Sequence, residues 1–434
     1  MDQPNSHSED LNDRISEELG YGSRVSFISP APDLATALER RRRHTPPSVS
    51  SHDDPFHALL IGAGYAMFGT NEGPWNITKQ LEKKLGSRLV VDAVVEVSSS
   101  RAEAALALKK KSLLAKSYEG TRILANVEEF GENVRKGEIP EPRAVFVATP
   151  PIARGGLSSP RDLEVKLNRL FPNAAIFLEK PVTTGVPWEQ SVQDAKTVGA
   201  TLAKQQKGVV SIGYALRYLR AATEMKRIIK ENNLTVMATN IRWIMAYELG
   251  DKLDWWNKDI LQGPIVEQAT HVTYRGSSAA MSTSIPFGNA HSVEAYERPG
   301  QLSKQCIDES LIPEDLRIPR ATTASWKYQN GAVGMMLHAV ALHGKDYSIE
   351  LEVYADGVGI SFFVYFECSL TLVQSDDPYY TEMDHFIDAI ENGPNPSILS
   401  TYEDAAKSYE MTWHIRNQSE DMTRRQLAKY GKTI

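Results

Sequence analysis

Three residues in this chain have the types that proton transfer requires: Lys180 at the end of the apolar run "AAIFLEK", and Glu267 with His271 in "EQATH". A lysine or histidine held at a reacting oxygen takes up or returns a proton, worth on the order of 10² to 10⁴ in rate. Glu267 lies four residues before His271, so on a helix both share one face. Pro181 fixes the backbone just after Lys180 and aims its side chain.

A second group suits a phosphate. "LLIGAGYAMFG" places Gly62 and Gly64 after a short apolar strand, with Tyr65, Met67 and Phe68 at the start of the next helix. The first glycine permits a tight turn, and the second lets the backbone approach a pyrophosphate at the positive helix end. Met67 takes the third position of G-x-G-x-x-G, so Gly69 is expected to serve in a longer turn. Downstream, "VVEVSSSRAE" offers two readings. Glu96 accepting from both ribose hydroxyls favours NAD, whereas Ser98, Ser99 and Arg101 holding a 2′-phosphate favour NADP; Glu96 tilts the choice to NAD. Glu96 lies 32 residues beyond Gly64, against a usual spacing of about 20, so "TNEGPWNITKQ" is expected to be an insertion before or in the first helix.

These groups need a sheet that brings strand ends together. "FHALLIGAG", "LVVDAVVEV", "AVFVAT" and "AAIFLEK" are short, nearly continuous apolar runs separated by segments that can be helical. Strands buried on both faces and alternating with helices indicate a parallel α/β sheet, with ligands outside the carboxyl ends of its strands. Thr149, Pro150, Glu179 and Lys180 then stand toward the bound dinucleotide. The helix carrying Val192, Ala195, Val198 and Leu202 is expected to leave this domain. From about residue 209 longer alternating strands appear, with hairpin turns at Asn330–Gly331 and Asp356–Gly357. A mixed or antiparallel sheet follows, and the stripe Tyr402, Ala405, Ala406, Tyr409 and Trp413 is expected to pack on it. The predicted boundaries are a flexible arm over 1–55, a doubly wound parallel domain over 56–185 and an α+β domain over 186–434. Residues 277–320 read as a long excursion over a site or an oligomer contact.

Composition fits this picture. The chain has 434 residues, 41% hydrophobic and 24% charged, enough for two cores. A net charge of -7 argues against a nucleic-acid partner. No apolar run approaches the roughly 18 residues of a membrane span. Cys306 and Cys368 offer neither metal-ligand spacing nor a disulfide framework, and "MDQPNSHSEDLNDR" has no secretory apolar region, so a cytoplasmic protein is expected. Arg40 to Arg43 read as a solvated charge run at a flexible arm, with a nuclear-localisation or anion-binding segment as the alternative.

"GAG", "VATPP", "EKPVTT", "GYALRY" and "GPIVEQATH" occur in an order that resembles the Gfo/Idh/MocA oxidoreductases, from about residue 56 onward. "EGPWN" and "EQATH" resemble the fungal branch labelled quinate-utilisation oxidoreductase. The resemblance implies a Rossmann domain followed by a domain with a large, mostly antiparallel open sheet. It implies that Lys180 hydrogen-bonds a substrate hydroxyl and that His271 acts as or assists the acid/base. Glu267 replaces the family's aspartate. Tyr214, Arg217 and Tyr218, with Trp255, Trp256 and Asp259, become candidates to line a pocket of sugar or cyclitol size. The implied activity is NAD(P)-dependent interconversion of a secondary alcohol and a ketone on a small polyhydroxylated substrate, in a homo-oligomer, dimer or tetramer. A non-catalytic dinucleotide-binding regulator and an NAD-dependent glycoside hydrolase are the alternatives.

Overall fold

The computed structural model describes residues 23–27, 54–69, 75–246, 250, 253–271, 311–328, 330–342, 347–356, 358–366, 376–393 and 398–430. Arg40 to Arg43, both cysteines and most of the 277–320 excursion lie outside them. No described helix is long and apolar enough to cross a membrane.

Strands β2 (Phe56–Ile61), β3 (Leu89–Val95), β4 (Arg122–Leu124), β5 (Ala144–Val147), β6 (Ala175–Glu179) and β7 (Val210–Gly213) form one parallel sheet in the order β4-β3-β2-β5-β6-β7. The order reverses between β3 and β5, which opens a crevice at the carboxyl end of β2. Successive residues point to opposite faces, so each strand feeds two cores. Leu59, Ile61, Val145, Val147, Ile176 and Leu178 enter one. Phe56, Ala58, Leu60, Phe146 and Phe177 enter the other, where Phe146, Phe177 and Phe386 meet edge-on or tilted with centroids 5.5 to 6.2 Å apart.

Three expectations need correction. The first domain does not end at residue 185: α6 (Trp188–Gln205) is a crossover that returns the chain to β7, which pairs with β6 through Glu179↔Gly213. The stripe on α10 (Tyr402–Tyr430) does not lie on the second sheet. Tyr402, Ala405, Ala406, Tyr409 and Trp413 share a core with Val192, Ala195, Val198 and Leu202 of α6, and Trp413 stacks on Trp188 at 5.8 Å. Finally, the arm is not wholly outside the fold, because β1 (Ser23–Phe27) pairs antiparallel with β12 (Val358–Phe366).

The second sheet runs β1-β12-β11-β8-β10-β9, with β8 (Val236–Ala246), β9 (Ala321–Lys327), β10 (Val333–Leu342) and β11 (Tyr347–Ala355). Its pairs are antiparallel except β8 with β10, so it is mixed. The β9–β10 hairpin turns at Asn330 and Gly331 as expected, with Gly331 at φ 91°. One face is covered by α7 (Arg220–Glu231), by α8 (Gly263–Glu267) and by Met411 and Ile415 of α10. Helix α9 (Pro378–Asn392) returns to the first sheet and supplies Met383, Phe386 and Ile387.

Candidate active site

The glycine turn follows β2. Gly62 adopts φ 93°, and a Cβ there would lie 3.0 Å from the Ala148 carbonyl; both facts demand glycine. At Gly64 a Cβ would meet nothing within 4 Å. The protein leaves open space there, at the start of α1 (Tyr65–Phe68), which fits a close-approaching pyrophosphate. Within α1, Tyr65 is exposed, whereas Met67 is fully buried and Phe68 packs against the same core. Met67 is thus committed to the core and Phe68 partly so, because the short helix needs an apolar side to dock. Nor does Gly69 replace the third glycine: its N–H donates to the Tyr65 carbonyl at 2.7 Å and ends α1. Asn76 then starts α2 (Ile77–Leu85), accepting from Lys79 N–H at 2.9 Å and donating to the Phe68 carbonyl at 3.0 Å.

Glu96 is buried beside this turn. One carboxylate oxygen accepts from Ala63 N–H at 2.8 Å and the other from Ser98 N–H at 3.0 Å. Arg101 approaches to 3.6 Å and is mostly exposed. A carboxylate has about four lone-pair sites, so Glu96 braces the turn and retains acceptor capacity for a ribose. Across the crevice, Thr149 Oγ1 is buried with no partner among the described residues, while Pro150 is exposed. Buried Arg154, which sequence reasoning missed, donates to the carbonyls of Thr149 (3.2 Å) and Val182 (3.5 Å) and so ties the β5 and β6 turns together.

At the end of β6, Glu179 faces β7: a Cβ on Gly213 would lie 3.2 Å from its carboxylate. Burial pushes the Glu179 carboxyl up, against the charges of Lys180 and Arg154. Lys180 turns the other way and donates from Nζ to the Glu267 carbonyl at 3.2 Å, with the Glu267 carboxylate at 3.7 Å. That carboxylate also accepts from Trp255 Nε1. His271 ends a short turn after α8; its ring meets Tyr214 edge-on at 5.5 Å and stacks on Trp243 at 5.8 Å. Burial, then the charges of Lys180 and Arg217, hold the His271 imidazolium well below the usual histidine range. Its Nδ1 is buried without a partner among the described residues.

Other pocket candidates are used elsewhere. Arg217 is buried against Asp404 and Ser408 of α10 and the Leu399 carbonyl. Trp256 is buried and donates to the Gly250 carbonyl at 2.6 Å, so of this pair it is Trp255 that touches the site. The Tyr218 hydroxyl accepts from Leu399 N–H at 2.9 Å, and Asp259 lies in the turn with Asn257. Tyr214 stays at the site, its hydroxyl 2.5 Å from Thr270 Oγ1 and its ring under the Arg217 guanidinium. Trp243 was also missed: the alternation of Ile241, Trp243 and Met245 marks a covered face but not its neighbour His271.

The fold and its glycine crevice define an NAD-binding oxidoreductase. The profile of the oxidoreductase family with NAD-binding Rossmann fold, Gfo/Idh/MocA, matches residues 56–214, and an oxidoreductase C-terminal domain profile matches residues 217–358. The chain belongs to the Gfo/Idh/MocA oxidoreductase family. The uncharacterized protein C12C2.04 of Schizosaccharomyces pombe is 36% identical over 386 residues, covering 85% of this chain and 98% of that protein. A second protein of that yeast, UNK4.17, is 36% identical over 372 residues, 82% of this chain and 90% of its own. Among solved structures, GenD2 from gentamicin A biosynthesis, in complex with NAD, shares the fold at TM-score 0.60 and 14% identity, over 87% of this chain and 98% of its own. So does myo-inositol dehydrogenase from Lactobacillus casei, at TM-score 0.57 and 15% identity, over 85% and 95%.

Proposed function

We propose that the chain interconverts a secondary alcohol and a ketone on a small polyhydroxylated molecule, in the crevice outside the carboxyl ends of β2, β5 and β6. The observation that carries this reading is the convergence of Lys180, Glu267 and a neutral His271 at one strand end. Lys180 Nζ, oriented by the Glu267 carbonyl and carboxylate, donates to the reacting oxygen. His271, kept unprotonated, takes the hydroxyl proton during oxidation and returns it during reduction. The bound nicotinamide supplies the hydride acceptor or donor. Gly62, Gly64, Glu96 and Thr149 would hold the dinucleotide, with Glu96 favouring NAD. The shared fold of a myo-inositol dehydrogenase in complex with myo-inositol and of a levoglucosan dehydrogenase in complex with levoglucosan lends support to a cyclitol or sugar.

The test is to titrate the protein with NADH and NADPH, then follow nicotinamide absorbance with a panel of inositols, anhydrosugars and their ketones. Cofactor binding with turnover on one panel member is expected. Failure to bind either dinucleotide would overturn the reading, and binding with no turnover would favour a regulator. A dimer or tetramer through the open face of the second sheet, where Val333, Met335 and Tyr354 are exposed, is checked by light scattering.

A further inference from the structure

Two buried polar atoms sit on stacked rings, one of them that of His271, which feels the charge of Lys180. Trp243 Nε1 and His271 Nδ1 have no hydrogen-bond partner among the described residues, and their rings stack at 5.8 Å with 29° between the planes. An indole N–H has only one use in hydrogen bonding, as a donor. Leaving a buried donor unsatisfied costs about 1–3 kcal/mol, so buried tryptophans normally find an acceptor.

Among the described residues, the surroundings of Trp243 supply none. Its other ring neighbour, His338 on β10, stacks at 6.3 Å and has its own Nε2 hydrogen-bonded to Gln268 at 2.8 Å. Tyr347 meets the indole edge-on at 6.4 Å. The indole is thus fixed by three rings, which removes the freedom to turn away, while its donor stays open. A rigid donor beside a neutral imidazole matches a ligand with several closely spaced oxygens. One hydroxyl gives its proton to His271, and a neighbouring oxygen accepts from the indole.

From this arrangement we infer that Trp243 is a specificity-determining residue, whose Nε1–H donates to a non-reacting oxygen of the polyhydroxylated substrate. The assignment rests on the dehydrogenase reading above and deepens it. A site with a buried donor rejects analogues that lack the matching oxygen, because the donor then stays unpaired. The substrate must carry an oxygen next to the reacting carbinol, and a simple secondary alcohol is a poor ligand.

The experiment uses the full chain, labelled with nitrogen-15 at the indoles and saturated with NAD, titrated with myo-inositol and then levoglucosan. The indole resonance that disappears in Trp243→Phe identifies Trp243. Expected is a shift of that resonance, with slower solvent exchange, on polyol addition and not on NAD addition, and a loss of about tenfold or more in polyol affinity in Trp243→Phe, as for one hydrogen bond of about 1.4 kcal/mol. A polyol that binds while this resonance stays fixed, or binds Trp243→Phe as tightly, overturns the assignment alone. NAD binding with no response to either polyol overturns a polyol at this site, and absence of NAD binding by the folded protein overturns the dehydrogenase reading and this inference with it.

Discussion

The Glu96 carboxylate reaches from the end of β3 to the glycine turn after β2 and accepts the Ala63 N–H at 2.8 Å. Ala63 lies between Gly62 and Gly64, so this bond shapes the peptide that a pyrophosphate approaches. Glu96 thereby has a structural duty in addition to any contact with a ribose.

Glu96→Ala is expected to weaken NADH and NADPH together, by about tenfold or more, since hydrogen bonds to a charged group contribute about 1.5–3 kcal/mol. Fluorescence titration with both dinucleotides reads this. A rise in NADPH affinity beside a fall for NADH would show that ribose discrimination dominates.

Lys180→Met keeps an unbranched, flexible side chain, one atom shorter, and removes its donor. Turnover is expected to fall on the order of 10² to 10⁴, with NAD affinity retained because Lys180 is held by Glu267 and not by the glycine turn. Unchanged turnover would remove Lys180 from the chemistry.

The pH dependence of oxidation follows from His271. Its proton affinity is lowered by burial and by Lys180 and Arg217, so the base form persists below the ordinary histidine value of about 6.5. Activity is expected to hold through that value and fall only at lower pH. Without the Lys180 charge the His271 pKa rises, and the acid limb moves up. Proton NMR of the His271 ring, assigned with His271→Asn, follows the same shift in Lys180→Met without requiring turnover. Stability follows the same direction: the unfolded histidine binds a proton before the folded one does, so stability falls as pH drops below about 6.5.

Arg217→Ala tests a residue moved from the substrate to the scaffold. Removing one partner of a buried ion pair costs about 3–5 kcal/mol, and here it leaves Asp404 uncompensated. A lower denaturant midpoint is expected, with KM for the polyol unchanged in the folded protein. A raised KM with normal stability would return Arg217 to the pocket.

The legible parts of the sequence were those with local signals. Continuous apolar runs marked β2, β3, β5 and β6, and Gly62 and Gly64 marked the crevice because a turn with these demands has few solutions. Strand β7 was read with the second sheet, whose strands were expected from about residue 209, since "VSIG" is only four residues with Ser211 among them; its place is set by pairing with β6, which no local pattern encodes. Arg217 and Trp256 were misread for a related reason. Their positions in the chain were right for a pocket, but their directions are decided by Asp404 and the Gly250 carbonyl. Trp243 escaped notice because a tryptophan on a covered strand face looks like core until His271 is seen against it.

The partnership of α6 with α10 also governs the order in which the molecule is completed. Val192, Ala195, Val198 and Leu202 share one core with Tyr402, Ala405, Tyr409 and Trp413, which lie about 200 residues further along the chain. As the chain leaves the ribosome, that flank lacks this part of its cover while the entire second sheet is synthesised. The half of the protein made first is therefore the half finished last, and a fragment cut at the seam between the two sheets would carry an unclosed core.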